Sequence, residues 1–223
     1  MMFTNLVIRF FDILISILAI LILSPILILV CLFNSLTGEK EIFYLQDRIG
    51  KNGNKFEIIK FATMLKNSIN MKGGGFTEDN DHRFLPLGHF MRRTKINELP
   101  QLLNVIRGDM SLVGFRPLLE ESYIKAKQIG NTEIYSVLPG ITGPASIILR
   151  NEEQLIAAHD NKEEYYFNDI LPIKVSLDKW WKNNITISNY FAILFLTALA
   201  LFLPIKMIPI NILKDLPKGY KKN

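Results

Sequence analysis

One stretch without a charged residue, Ile13 to Phe33, limits what this chain can fold into more than any other feature of its sequence. At about 1.5 Å per residue, a helix of this length is roughly 30 Å long, which matches the hydrocarbon core of a bilayer. The stretch lacks the small-residue cleavage pattern of a secretory signal, and its apolar run is too long for one. We therefore predict a membrane segment at this end of the chain.

A serine–proline pair, Ser24 and Pro25, lies near the centre of this segment. Proline removes one helical hydrogen bond and clashes with the preceding turn, so the pair predicts a kink or a break. A kinked helix could still cross the membrane, whereas a broken helix could enter and leave by the same face. The residues alone leave both courses open.

Composition leaves room for one further small domain. The chain has 223 residues, of which 49% are hydrophobic, and a net charge of +5. Removing the two apolar ends leaves about 150 residues, enough for a domain with its own core. The single cysteine, Cys31, excludes an intramolecular disulfide.

The net positive charge suits binding to nucleic acid, to an anionic membrane or to phosphorylated substrates. The membrane-length segments favour the last two, and no nucleic-acid-binding module is visible.

The most charged part of the chain runs from Asp81 to Pro117. Its apolar run Leu99 to Ile106 predicts a short helix, with Asn97 as the N-cap and Gly108 as the stop. Arginines make bidentate phosphate contacts, and a carboxylate beside phosphates is a ligand for Mg²⁺. A solvated basic turn would have the same composition. The charged residues of interest are Arg83, Arg92, Arg93, Lys95, Glu98, Arg107, Asp109 and Arg116.

Several sequence blocks in this order resemble a known enzyme family. They read RIGKNGNKFEIIKFATM, ELPQLLNV, GDMSLVG, GFRP and LPGITGPAS. Together they resemble the bacterial sugar transferases, the monotopic polyprenyl-phosphate phosphoglycosyl transferases. This family transfers a sugar-1-phosphate from a nucleotide sugar, usually a UDP-sugar, to undecaprenyl or another polyprenyl phosphate. The resemblance therefore implies initiation of a lipid-linked glycan, such as an exopolysaccharide, capsule, O-antigen or glycoprotein glycan.

The resemblance implies a small, helix-rich α/β domain on an N-terminal re-entrant membrane helix. Residues 1–38 would form the anchor, broken at Ser24 and Pro25, and residues 39–182 the catalytic domain. Residues 183–223 would form an apolar membrane-associated segment, lying in the interface, and a basic tail. Within the catalytic domain we also predict a strand–turn–strand unit from Gln46 to Met64.

The family's site residues are carried over onto matching positions. Glu98 would bind Mg²⁺, the implied cofactor, and Lys60 would lie near the reacting phosphates. Three arginines would bind substrate phosphate: Arg92, Arg116 and Arg150. For the glycines of LPGITGPAS, close approach to a ligand and plain turn formation explain the pattern equally well.

One departure from the family concerns mechanism. Asn97 stands where the family has its nucleophilic aspartate, and an amide is a very poor nucleophile. Four options stay open: Glu98 attacks, the lipid phosphate attacks directly, Asn97 deamidates, or the chain is inactive. The alternative function is an impaired membrane-bound homologue that binds a ligand or a partner subunit. Ala62, where the family usually has arginine, is a smaller departure.

Membrane topology follows from the basic flanks. A second uncharged stretch, Asn183 to Ile205, precedes a lysine-bearing tail. If neither stretch crosses the membrane, the domain and all basic flanks stay on the cytosolic side, as the positive-inside tendency favours. Pro204 and Pro209 suit a broken helix that lies in the interface. Trp180 with Trp181 suggests an interfacial aromatic belt or an exposed hydrophobic corner of the core. We therefore expect a protein of the bacterial inner membrane, with its catalytic domain facing the cytosol. A homodimer is possible, and we expect no nucleic-acid partner.

Overall fold

The structure, a computed structural model, describes residues 2–71, 81–129 and 132–217. It is a helix-rich α/β domain with a long apolar helix at one end, which confirms the predicted fold class in its coarse form. The helices are α1 (Met2–Leu36), α2 (Gly88–Arg93), α3 (Gln101–Arg107), α4 (Glu120–Gln128), α5 (Pro144–Ile148), α6 (Glu152–Ala157), α7 (Lys162–Tyr165), α8 (Leu171–Asn183) and α9 (Ile187–Phe202). The strands are β1 (Phe43–Ile49), β2 (Lys55–Phe61), β3 (Ser111–Val113) and β4 (Gly140–Thr142).

The helix α1 continues through the serine–proline pair. Pro25 has no N–H to give to the carbonyl of Leu21, four residues earlier. The Ser24 hydroxyl donates to that same carbonyl oxygen instead, at 2.8 Å. The predicted break in the helix at Ser24 and Pro25 is therefore wrong, because one unbroken helix covers all 35 residues. The course of this helix relative to a membrane stays a prediction.

Both ends of α1 are tied to the same domain. Near its start, Arg9 donates to the carbonyl oxygen of Val105 at 2.7 Å. Near its end, the Asn34 amide donates to the carbonyl oxygen of Ala62 at 3.0 Å. Between these contacts the outer face is apolar, and Ile22 is 74% exposed. By length and hydropathy, α1 is the one helix in the described ranges that could cross a membrane.

The strands β1 and β2 form the predicted strand–turn–strand unit. They pair antiparallel, with Tyr44 opposite Lys60. The turn between them places Asn52 in the left-handed region, at φ +58°. The side chain of Asn104 joins this hairpin to α3, because its oxygen accepts from the N–H of Ile59 and its nitrogen donates to the carbonyl of Glu57. The hairpin and α3 therefore hold each other in register.

The glycine-rich blocks serve a close backbone contact. The strands β3 and β4 pair in parallel, with Ser111 opposite Gly140. A Cβ atom added at Gly140 would lie 2.0 Å from the backbone nitrogen of Gly114. A Cβ atom at Gly143 would lie 2.2 Å from the carbonyl oxygen of Gly114. Of the two explanations left open, turn formation and approach to a ligand, the structure supports neither directly, because these glycines admit a neighbouring strand.

The last helices complete the core. Trp180 and Trp181 of α8 are 6% and 2% exposed, so they belong to the core. Both expectations for this pair, an aromatic belt and an exposed corner, are therefore wrong. The Trp180 indole N–H donates to the carbonyl of Lys214 at 2.9 Å, which holds the segment after α9 against the domain. The tail lysines Lys218, Lys221 and Lys222 lie outside the described residues.

A buried polar junction joins the two apolar helices α1 and α9. The Tyr190 hydroxyl donates to Asp12 Oδ1 at 2.8 Å, and the N–H of Leu112 donates to the same oxygen at 2.9 Å. An unpaired buried carboxylate would be costly, so these two donors stabilise the position of Asp12. The junction ties α1, α9 and β3 together.

Candidate active site

The centre of the candidate site is the carboxylate of Glu98. It lies at the end of a 3-10 turn, Ile96–Glu98, that leads into α3. Arg116, which follows β3, donates from Nη2 to Glu98 Oε1 at 2.8 Å. The ammonium nitrogen of Lys60, on β2, is 3.9 Å from the same oxygen. The structure thus brings together three residues that the sequence places far apart.

Burial and charge act on these groups in opposite directions. Although burial alone would raise it, the pKa of the Glu98 carboxyl is held well below its usual value by Arg116 and Lys60. Glu98 in turn raises the pKa of the Arg116 guanidinium. Burial lowers the pKa of Lys60 to about 7, although the Glu98 charge opposes that shift. Glu98 is therefore ionised, and Arg116 is permanently cationic.

A further arginine, Arg48, belongs to this cluster and was not among the predicted site residues. Its Nε and Nη2 both donate to Gln46 Oε1, at 3.1 and 2.6 Å, and its Nη1 donates to the carbonyl of Pro117 at 3.3 Å. Burial, together with the charge of Arg116, lowers its pKa to about 10. The sequence carried a signal, because Arg48 is the first residue of the family-like block that runs to Met64 and includes Lys60.

Two other predicted phosphate ligands lie in different surroundings. Arg92, on α2, forms an ion pair with Glu153 at 2.7 Å, and its charge acts on Lys60. Arg150 instead donates to the carbonyl of Leu203 at 2.7 Å, just after α9 ends. The structure thus brings Arg92 to the edge of the cluster, whereas the contact recorded for Arg150 is with the C-terminal end of α9.

Asn97 lies beside Glu98 in the 3-10 turn and is 8% exposed. Its side chain does not cap α3, so the predicted N-cap is wrong. The turn starts after Lys95, which adopts the left-handed conformation at φ +61°, and Pro100 occupies the cap position. The predicted stop at Gly108 is confirmed. Asn97 Oδ1 is buried and accepts no hydrogen bond from any described residue.

The other acids near α3 have partners of their own. Asp109 Oδ2 accepts from the Asn104 amide at 3.2 Å, at the end of α3 away from Glu98. Glu152 forms an ion pair with Lys174 at 2.6 Å, and Glu153 pairs with Arg92. These carboxylates hold neighbouring side chains in place.

The donor set around Glu98 fits one kind of metal site. No group of three His, Cys, Asp or Glu side chains that could together hold a metal ion occurs in the described ranges. Mg²⁺ commonly uses one or two carboxylates together with substrate phosphates and water. Both recorded contacts of the Glu98 carboxylate use Oε1, so Oε2 is left for a cation. The chemistry of this carboxylate is compatible with Mg²⁺ that is held jointly with substrate phosphates.

Comparison with known proteins identifies the family of the chain. A family model described as bacterial sugar transferase matches residues 3–204. Similar proteins include the UDP-galactose-lipid carrier transferase of Erwinia amylovora, 32% identical over 204 residues, and the undecaprenyl-phosphate galactose phosphotransferase of Salmonella typhimurium, 33% identical over 205 residues. Each alignment covers 85% of this chain but only 39% of the relative.

A shorter relative aligns over more of its own length. The exopolysaccharide production protein ExoY of Sinorhizobium fredii is 36% identical over 158 residues, which cover 65% of this chain and 70% of that protein. Because the family model spans nearly the whole sequence, the chain belongs to the bacterial sugar transferase family.

Proposed function

We propose that this protein transfers a sugar-1-phosphate from a UDP-sugar to undecaprenyl phosphate and so starts a lipid-linked glycan. The observation that carries the proposal is the buried Glu98 carboxylate bound by Arg116 and approached by Lys60. With Arg48 and Arg92 nearby, the cluster holds more positive charge than its own acids balance. A surplus of buried positive charge suits an anionic ligand, and a diphosphate supplies several such charges.

Each member of the cluster has a separate task. Arg116 and Arg48 offer planar N–H pairs that match phosphate oxygens, whereas Lys60 acts as a point charge. Mg²⁺ held by Glu98 would neutralise charge on the diphosphate. Together these groups would stabilise the charge that moves toward the leaving nucleoside monophosphate. Arg150 remains a proposed phosphate ligand, which would have to leave Leu203.

The contacts of α1 support a monotopic attachment to the cytosolic face of the inner membrane. Arg9 and Asn34 are 25 residues apart by their numbers, or roughly 38 Å along a helix at about 1.5 Å per residue. Both contact the same polar domain. A helix that crossed a bilayer would place its two ends on opposite sides of the membrane. A polar domain on one side could not then contact both ends. We propose instead that α1 lies within one leaflet, with its exposed apolar face in lipid.

A second function is favoured by one residue. Asn97 stands in place of the side chain that the family uses as its nucleophile, so the chain could bind the same ligands without turnover, as a sensor or partner subunit.

Release of nucleoside monophosphate decides between the two functions. The purified protein in nanodiscs would be given a panel of UDP-sugars, Mg²⁺ and undecaprenyl phosphate. Turnover that is lost in Glu98→Ala supports the transferase, and binding without turnover supports the second function.

A further inference from the structure

The side chain at the nucleophile position constrains the order of chemical steps. An amide such as Asn97 does not attack phosphorus, because its nitrogen lone pair is delocalised and its oxygen is only weakly nucleophilic. Its Oδ1 is buried and has no hydrogen-bond partner among the described residues. The described residues therefore offer no hydrogen bond that would activate this oxygen.

The neighbouring carboxylates are poorly placed to take over. Glu98 Oε1 is bound by Arg116 and faces Lys60, and an attack by this group would break its ion pairs just as charge builds up at the phosphate. Glu152 and Glu153 hold Lys174 and Arg92. Asp109 lies at the opposite end of α3, a helix of seven residues, or about 10 Å. Each of these acids already has a structural partner.

The cations of the cluster are numerous enough for two substrates at once. The acids that act on Arg48, Lys60, Arg92 and Arg116 are Glu98, Glu152 and Glu153, and Glu152 is also paired with a further cation, Lys174. Lys60 lies beyond hydrogen-bonding distance from Glu98. Simultaneous binding of a nucleotide sugar and a lipid phosphate brings three phosphate groups together, and this surplus of cations would stabilise such a ternary complex.

We infer that this chain transfers sugar-1-phosphate in a single displacement, in which the polyprenyl phosphate attacks the nucleotide sugar directly while both are bound. An oxygen of the lipid phosphate forms a bond to the phosphorus that carries the sugar. The bond from that phosphorus to the bridging oxygen breaks, and nucleoside monophosphate leaves with the oxygen and the electron pair. Charge balances without a proton transfer. The inference rests on the proposed function.

The test separates the two routes by withholding the lipid. Wild-type protein in nanodiscs is incubated with a UDP-sugar that carries ³²P in the β-phosphate, with and without undecaprenyl phosphate. We expect release of UMP only when the lipid is present, and no label on the protein after rapid denaturation. The matched variant Asn97→Asp should release UMP and become labelled without lipid.

A second measurement keeps the test decisive if Asn97→Asp does not fold. With a donor made chiral at the β-phosphorus by sulfur substitution, a single displacement inverts the configuration and a double displacement retains it. Retention, or labelled wild-type protein, whether the label is an acyl phosphate or a phosphoramidate, would overturn the inference. If no UDP-sugar yields a lipid product with either protein, the proposed function itself fails, and the inference fails with it.

Discussion

Arg116 and Glu98 are joined by a hydrogen bond of 2.8 Å between Nη2 and Oε1, although one follows a strand and the other ends a helical turn. This bond fixes the carboxylate at the centre of the cationic cluster. Removing one partner of such a pair leaves a buried charge without compensation, which costs more than the pair itself contributes.

The first prediction concerns Glu98→Gln. The change removes the proposed ligand for Mg²⁺ and leaves Arg116 and Lys60 unbalanced, so we expect the rate of UMP release to fall by at least about 10²-fold. Glu153→Gln is the matched control at the edge of the cluster, where the side chain is 55% exposed, and should lose much less activity. Equal losses in the two variants would contradict the central role of Glu98.

The second prediction concerns Arg48→Lys. Lysine keeps the positive charge. It lacks the planar guanidinium, which can donate to Gln46 and Pro117 and still present further N–H groups to phosphate. We expect the KM for the UDP-sugar to rise by roughly 10-fold, or about 1.4 kcal/mol. Lys55→Gln, on the neighbouring strand, removes a charge from the surface pair with Glu120 and should leave KM unchanged. A normal KM in Arg48→Lys would place Arg48 outside the site.

The third prediction concerns pH and Asp178. This carboxyl, on α8, is 6% exposed, and its Oδ1 has no partner among the described residues. Burial raises its pKa to about 8, although Lys174 opposes the shift. Because the pKa is higher in the folded than in the unfolded state, the contribution of Asp178 to stability is complete below about pH 4 and is lost as the pH rises through 8.

This contribution should be on the order of a few kcal/mol. Measured by denaturant unfolding in detergent between pH 5 and 9, wild-type stability should fall with rising pH more steeply than that of Asp178→Asn. Asp160→Asn, at an exposed position, serves as the control and should follow the wild type. Parallel curves for wild type and Asp178→Asn would show that Asp178 does not carry the pH dependence.

The fourth prediction concerns the strand contact at Gly114. A Cβ atom at this position would lie 2.5 Å from the backbone nitrogen of Gly140 and from the carbonyl oxygen of Leu138. Backbone atoms cannot move aside without opening the β3–β4 pair, so Gly114→Ala should cost about 3 kcal/mol or more of unfolding free energy. In Gly50→Ala the new Cβ meets the Phe56 ring, which can shift. A smaller loss in Gly114→Ala than in Gly50→Ala would contradict the packing argument.

The fifth prediction concerns Ser24→Ala in α1. The change leaves the Leu21 carbonyl without its donor, so helix stability in a lipid environment should fall by about 1 kcal/mol. The control variant is Ser35→Ala. The Ser35 hydroxyl also donates to a carbonyl three residues earlier, that of Leu32, at 2.8 Å, but no proline removes the backbone donor there. Thermal unfolding in nanodiscs should separate the two variants. Equal effects would mean that the hydroxyl of Ser24 does not compensate for Pro25.

Local patterns in the sequence predicted what depends on local chemistry. The turn between β1 and β2 and the stop at Gly108 both follow from turn and cap preferences. The resemblance to a family brought Lys60, Glu98 and Arg116 into one proposed site, and the structure places them in contact.

Other features depend on side-chain contacts that the residue pattern does not reveal. Pro25 predicted a break, but the neighbouring serine supplies the missing donor, which the residue pattern alone does not reveal. Trp180 and Trp181 were candidates for a membrane belt because they are flanked by lysines, yet α8 turns both rings into the core. Arg48 opens a family-like block, but its contact with Pro117, 69 residues away, is visible only in the structure.

The hydrogen bonds from Arg9 to the end of α3 fix the rotation of that helix about its own axis. Arg9 donates to the carbonyls of Val105 and Ile106, while the turn bearing Glu98 leads directly into the opposite end of the same short helix. Each residue of a helix turns its neighbour by about 100°. Inserting or deleting one residue between Glu98 and Val105 would therefore rotate the Glu98 carboxylate away from Arg116, even if every side chain were kept. The length of α3 is itself a requirement for the site.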